Sequence, residues 1–174
     1  MSEDLHQMIS FRGVSKSDLQ TLKTWRNSHD VWENNTQFTF LNTKNQEEWF
    51  ASLRGNPERK MFVITMKKKP VGICGLVHMD EGNADVAIII GDKKLRGKGI
   101  GKTALQKLIK LGFTKFGLNR IGADVLEFNT NSQKFFSGVG FRHEATLRQS
   151  IWRKGRWNDT LVYGLSKQEW EKRD

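Results

Sequence analysis

The sequence predicts an α+β domain in which helices flank a mixed, mostly antiparallel sheet. Three observations carry that expectation. Residues 61–66, 71–78 and 84–90 are β-rich runs separated by Lys67-Lys68-Lys69-Pro70 and Glu81-Gly82-Asn83, the punctuation of an antiparallel meander. From Gly99 onward Ala104, Leu105, Leu108, Ile109, Gly112 and Phe116 recur at helical spacing, so a long amphipathic helix is expected to lie on that sheet. Residues 146–152 and 157–165 read as two final strands joined across Lys154-Gly155.

The remaining elements fall into place around these. Residues 9–14 form an opening strand, and residues 15–18 offer capping chemistry for a helix with Leu19, Leu22 and Trp25 on one side. A second helix starts near Thr43, where Thr43 and Gln46 fit a capping box, and runs through Trp49, Phe50 and Leu53. After the long helix come a strand at residues 120–128 and a short helix at 130–137 leading to Gly140-Phe141. The predicted order is β-α-α-β-β-β-α-β-α-β-β, in one domain covering residues 1–174.

Composition narrows the function. A single cysteine, Cys74, excludes an intrachain disulfide and, with only four histidines, a zinc framework; no metal is expected, and a reducing cytoplasm fits best. Residues 86–90, the longest strongly apolar stretch, are too short to cross a bilayer, and no export signal or membrane partner is expected. The formal charge of +10 favours polyanions. Because the basic residues are dispersed and no helix-turn-helix or RNA-recognition signature accompanies them, the expected anion is a phosphorylated cofactor and not nucleic acid.

Leu95-Arg96-Gly97-Lys98-Gly99-Ile100-Gly101-Lys102 lies between an apolar strand and the long helix, which is phosphate-binding architecture. Glycines let backbone N–H groups approach an anion, and the helix dipole adds a positive end. A dinucleotide fingerprint would need glycine where Lys102 stands. A P-loop would need glycine where Arg96 stands, and no apolar strand ends in a magnesium-binding aspartate, which discounts a phosphotransferase.

Arg96, Gly99 and Gly101 instead resemble the pyrophosphate signature Arg/Gln-x-x-Gly-x-Gly/Ala of the GNAT acetyltransferase superfamily. Asn129-Thr130-Asn131-Ser132 followed by Phe135-Phe136 and Gly140-Phe141 is similar to that family's Asn-x-x-Ser/Ala helix and Gly-Phe pair. Trp25-Arg26-Asn27, Glu47-Glu48-Trp49-Phe50 and Gly155-Arg156-Trp157-Asn158-Asp159 extend the resemblance to the branch of ribosomal-protein and amino-sugar-nucleotide acetyltransferases.

That resemblance implies the acyl-CoA N-acyltransferase fold, with a splayed sheet and acetyl-CoA as acetyl donor. The pantetheine arm would lie between residues 84–90 and 120–128, with a backbone N–H near Ile88 and Ile89 as oxyanion donor and Ile90 beside it. Arg96, Gly97, Lys98, Gly99, Ile100, Gly101 and Lys102 would hold the pyrophosphate, with Asn129, Ser132 and Phe136 along the arm. Asp85 and Glu127 are the implied general bases, each with a structural ion pair as its bland alternative. Phe136 stands where many members carry a tyrosine acid, so water or a hydroxyl such as Ser132 or Ser137 is expected to serve the departing thiol. Tyr163, His29, His78 and Cys74 are read as packing or surface residues.

Acceptor binding is expected from Trp25, Arg26, Asn27, Trp32 and Trp152, with at least half of the tryptophans sealing the core instead. The expected reaction is direct transfer to a primary amine on a small molecule or peptide. An amino-sugar nucleotide is the first acceptor, a protein N-terminus the alternative, and a non-catalytic CoA sensor or partner module the reading of another class. A polyamine is disfavoured because no acidic cluster is evident in the sequence. Exposed sheet edges permit a homodimer.

Overall fold

The computed structural model describes residues 2–37 and 39–173. Its strands are β1 (Ile9–Gly13), β2 (Lys60–Met66), β3 (Lys69–Asp80), β4 (Asn83–Ile90), β5 (Arg120–Leu126), β6 (Arg142–Arg153) and β7 (Arg156–Ser166). Its helices are α1 (Ser2–Met8), α2 (Leu19–Asn27), α3 (His29–Glu33), α4 (Thr43–Ser52), α5 (Ile100–Thr114), α6 (Thr130–Val139) and α7 (Lys167–Glu171). The seven strands lie in the order β1-β2-β3-β4-β5-β7-β6. Every adjacent pair is antiparallel except β4 with β5. The expected α+β sheet is therefore present, with α1, α3 and α7 as short additions.

Alternation along the strands separates two faces. Ala84, Val86, Ile88 and Ile90 of β4 and Ile121, Ala123 and Val125 of β5 join Leu105, Leu108, Ile109 and Phe113 of α5 in the main apolar cluster. Cys74 is wholly buried in it, and burial pushes its thiol pKa up, so it fills space and is no nucleophile. Val63 and Ile73, paired across β2 and β3, are buried outside that cluster, as are Leu19 and Leu22 of α2; a second apolar layer thus lies on the opposite face. No helix among the described residues is long and apolar enough to cross a membrane.

Local differences from the predicted elements have identifiable causes. The α4 box uses Asn42 and Asn45, not Thr43 and Gln46: Asn42 Oδ1 accepts from Asn45 N at 2.9 Å and Asn42 N donates to Asn45 Oδ1 at 2.8 Å. An asparagine one residue upstream is the stronger cap, which fixes the first turn there. Strand β6 begins at Arg142, ahead of the predicted start, because its residues up to Ser150 are solvent-exposed and carry little apolar alternation. Two register shifts, between His143 and Ala145 and between Leu147 and Ile151, disturb it further.

The link from β1 to α2 is fixed electrostatically. Arg12 makes a bidentate bond to the buried Asp18 at 2.7 and 2.8 Å, and Ser15 donates to Asp18 from both its backbone N–H and its hydroxyl. The Arg12 guanidinium, aided by Ser15 and opposed by burial, lowers the Asp18 pKa from 3.8 to about 2. A depressed carboxyl stabilises the fold above its unfolded pKa and loses that contribution as pH falls through the folded one. Asp18→Ala is therefore expected to lower stability at neutral pH by about 2 kcal/mol. The deficit should shrink between pH 4 and 2 in urea melts; a constant deficit would refute it.

Candidate active site at the fork between β4 and β5

Parallel pairing between β4 and β5 covers only Asn83 with Arg120, Ala84 with Ile121 and Asp85 with Gly122. Beyond it β4 stays paired to β3 as far as Ile90, and β5 stays paired to β7 as far as Leu126. The sheet forks after Asp85. Residues 86–90 and 123–126 then turn unpaired backbone edges toward each other, so N–H groups near Ile88 and Ile89 are available to a ligand between them.

The wide end of this fork meets the glycine loop. Gly97 and Gly99 have φ of 72° and 82°, left-handed values that favour glycine, and Gly99 caps α5 without a side-chain acceptor. A Cβ added at Gly101 would lie 3.4 Å from both Ile90 and Phe135, so the first turn of α5 abuts the end of β4 and the α6 wall. No acidic residue lies in that turn, while Lys98 and Lys102 are exposed. Free N–H groups, a helix dipole and two ammonium groups suit a pyrophosphate.

Arg96 does not point freely at this anion site. Its Nε donates to the Ile90 carbonyl at 2.8 Å, and its Nη1 binds Asp30 of α3. Lys93 reaches the other Asp30 oxygen at 2.8 Å. Burial pushes the Asp30 carboxyl up, but the hydrogen bonds from Lys93 and Arg96 outweigh it and hold the pKa at about 2. The Trp25 indole covers Gly91, where any side chain would collide with it. Helices α2 and α3 are thus fastened to the loop that leads into α5.

The face of the sheet opposite the main core carries the polar chemistry. Gly122 and Gly164 pair across β5 and β7 and leave room for carboxylates: a Cβ at Gly122 would lie 2.6 Å from Asp85 Oδ1, and one at Gly164 would strike Glu144. Asp85 Oδ2 lies 3.0 Å from His78 Nδ1, and Arg120 pairs with Glu144 at 2.5 Å. His78 has φ of 51° at a register shift in β3, and this bulge aims its ring at Asp85. Asp124 shares the face, two residues beyond Gly122, beside the first unpaired residues of β4. Its carboxyl reaches solvent on one side; burial by the strand walls, reinforced by Asp85, raises its pKa against the pull of Arg120 and His78.

Asp124 is not among the carboxylates that the sequence singles out, although Arg120, Gly122 and Asp124 alternate with the buried Ile121, Ala123 and Val125. Of the expected bases, Asp85 is at the fork and Glu127 is held by Arg156 at 3.1 Å. Asn129 caps α6 by accepting from Ser132 N at 3.1 Å and donates to the Asn34 carbonyl at 3.4 Å. Phe136 is buried, edge-on to Phe135 and Phe141 with ring centres 5.2 Å away in each case.

The expected acceptor wall is divided. Asn27 spends both ends of its amide on the Leu41 backbone, at 2.7 and 2.8 Å. Arg26 donates to the Gln37 carbonyl while its buried Nη1 has no hydrogen-bond partner among the described residues. Trp32 is half-buried, with its ring tilted 6.1 Å from that of His29. Trp152 is 53% exposed and packs edge-on with Trp157 at the β6–β7 hairpin.

Comparison with known proteins agrees with this geometry. Residues 9–142 match the family described as acetyltransferase (GNAT) domain. An uncharacterized N-acetyltransferase, p20, of Bacillus licheniformis is 35% identical over 121 residues, 68% of this chain and 67% of its own. The putative ribosomal N-acetyltransferase YdaF of Bacillus subtilis is 32% identical over 104 residues, 57% of this chain and 56% of its own. Among solved structures, spermidine N-acetyltransferase from Vibrio cholerae in complex with CoA and spermine superposes with a TM-score of 0.88. It is 19% identical, and the alignment covers 95% of this chain and 99% of that one, a likeness that shows the fold.

The grip of Asp30 on the loop has a measurable consequence. Removing a charge-assisted bond at a half-buried site loosens its partners by about 1.5–3 kcal/mol, part of which is felt at the ligand. Asp30→Ala is expected to weaken acetyl-CoA binding about tenfold in calorimetry. An unchanged Kd would mean that α3 does not shape the loop.

Proposed function

The chain belongs to the GNAT acetyltransferase family, and from that premise we propose that this acetyl-CoA-dependent N-acetyltransferase acts on a small cationic primary amine, of the aliphatic or polyamine class, at the β4–β5 fork. The observation that carries this reading is the pair of carboxylates, Asp85 and Asp124, on the open face at the fork. The sequence disfavours a polyamine because it shows no contiguous acidic cluster. Asp85, Asp124 and Glu144, far apart in the chain, are neighbours on the folded sheet. A local field governs an incoming amine more than the net charge of the whole molecule does.

In this reading acetyl transfer is direct. The amine nitrogen attacks the thioester carbonyl, the oxyanion forms against a β4 N–H near Ile88 and Ile89, and collapse expels the thiolate of CoA. The loop at residues 96–102 and the first turn of α5 hold the pyrophosphate. Phe136 offers no proton; the Ser132 hydroxyl, which makes no hydrogen bond among the described residues, or water completes the thiol.

An amino-sugar nucleotide is a second reading, favoured by the unpartnered Nη1 of Arg26 and by the exposed Trp152, on which a base could stack. Thiol release from acetyl-CoA, measured with polyamines, aliphatic diamines, amino-sugar nucleotides and peptides with free N-termini, separates the readings. Release with the first two classes is expected. Release only with amino-sugar nucleotides or peptides would transfer the assignment to those acceptors, and acetyl-CoA binding without release would indicate a sensor.

A homodimer belongs to the same proposal. Strand β6 closes one edge of the sheet with its outer backbone unpaired, and Leu147 and Trp152 on it are 50% and 53% exposed. Sedimentation is expected to show a species larger than a monomer, reduced by Trp152→Lys; a monomer at all concentrations would exclude it.

A further inference from the structure

We infer that Asp124 is the carboxylate that takes the proton from the attacking amine, and that Asp85, held by His78 on the last paired rung, is a positioning residue beside it. The assignment rests on the acetyl-transfer reading above and goes beyond it by naming the base.

Placement supports Asp124 over the two carboxylates expected from sequence. Asp85 sits on the last paired rung, where β4 and β5 are still bonded together. Asp124 lies two residues further along β5 on the same face, about 7 Å onward, where the gap has opened beside Ala87 and Ile88. Among the described residues it is the one carboxylate on the unpaired stretches 86–90 and 123–126. It therefore stands on the open stretch of β5 itself, across the fork from the β4 N–H groups that would face the thioester oxygen.

Its bonding state also fits. Asp85 is engaged by His78, Glu127 by Arg156 and Glu144 by Arg120, whereas the Asp124 carboxylate makes no hydrogen bond or ion pair among the described residues. An unengaged carboxylate can accept a proton without breaking a salt bridge. The charged groups that bear on it come from three elements: Asp85 on β4, His78 on β3 and Arg120 on its own strand. Glu144 on β6 pairs with that arginine, and across β5 the residue opposite Asp124 is the apolar Val162. Burial and Asp85 make the carboxyl a better base than a free aspartate, while Arg120 and His78 limit the rise.

The proton balance is simple. The ammonium first loses one proton to solvent, and as the neutral nitrogen forms the C–N bond it releases a second to Asp124, directly or through one water. The tetrahedral carbon then reforms its carbonyl as the C–S bond breaks, and that proton returns through water or Ser132 to the CoA thiolate. The products are the amide and the free thiol, and Asp124 is again ionised.

The test measures kcat, KM and the pH profile of thiol release with a diamine acceptor, alongside acetyl-CoA binding, for wild type, Asp124→Asn and Asp85→Asn. Asp124→Asn is expected to lower kcat at least a hundredfold, to leave the acetyl-CoA Kd unchanged and to abolish the acidic limb of the kcat profile. Asp85→Asn is expected to raise the KM for the diamine and to move that limb to lower pH, because a negative neighbour has been removed. Asp124→Asn within threefold of wild type, or an acidic limb that ignores Asp85→Asn, would overturn the assignment. Wild-type protein that binds acetyl-CoA and acetylates no amine would instead sink the acetyl-transfer reading, and this proposal with it.

Discussion

Pairing between β4 and β5 stops after Asp85 and Gly122, and the active-site geometry depends on that stop. Each strand is fully committed elsewhere, β4 to β3 and β5 to β7, so the two halves of the sheet can diverge without losing their outer ladders. A gap in the middle of a sheet would ordinarily leave backbone groups unsatisfied. On the proposed reading the exposed edges are the binding surface, where a ligand with amides of its own would replace the missing rungs.

The neighbouring elements keep the fork open at one end and closed at the other. Helix α5 packs across the core face and brings its N-terminus to Ile90, where Gly101 allows close approach. On the opposite side Trp25 covers Gly91 and Asp30 grips both Arg96 and Lys93. At the closed end Gly122 lets the Asp85 carboxylate lie flat over the sheet, which a side chain there would prevent. Small residues act at both ends through the space they leave.

What the sequence disclosed follows the range over which each signal acts. The glycine loop was legible because φ, helix start and anion chemistry are all set within residues 96–102. The Asn129 cap was legible for the same reason. Asn27 and Trp25 looked like acceptor contacts, yet they hold the Leu41 backbone and Gly91, partners that only the tertiary fold supplies. Asp124 lay within a clear period-two strand, but alternation gives a face and not what crosses it. Its meaning depends on a parallel pairing with β4 that arises only after the whole of α5 has intervened. Even the α4 cap was displaced by one residue, because Asn42 and Thr43 both have capping chemistry and the better one prevailed.

The distribution of charge gives the site a direction. Lys98, Lys102 and the α5 N-terminus lie at the wide end, while Asp85 and Asp124 lie at the narrow end on the opposite face. On the proposed reading a polyanionic cofactor and a cationic amine would be drawn to different ends of one cleft, where the thioester must meet the nitrogen. Over the Debye length of about 8 Å at physiological salt, each end is felt largely on its own, so a chain with a formal charge of +10 can still present a negative surface to its acceptor. The overall excess of lysine and arginine would then serve the cofactor's approach, while a cationic acceptor would meet the few carboxylates that the fold has gathered at the fork.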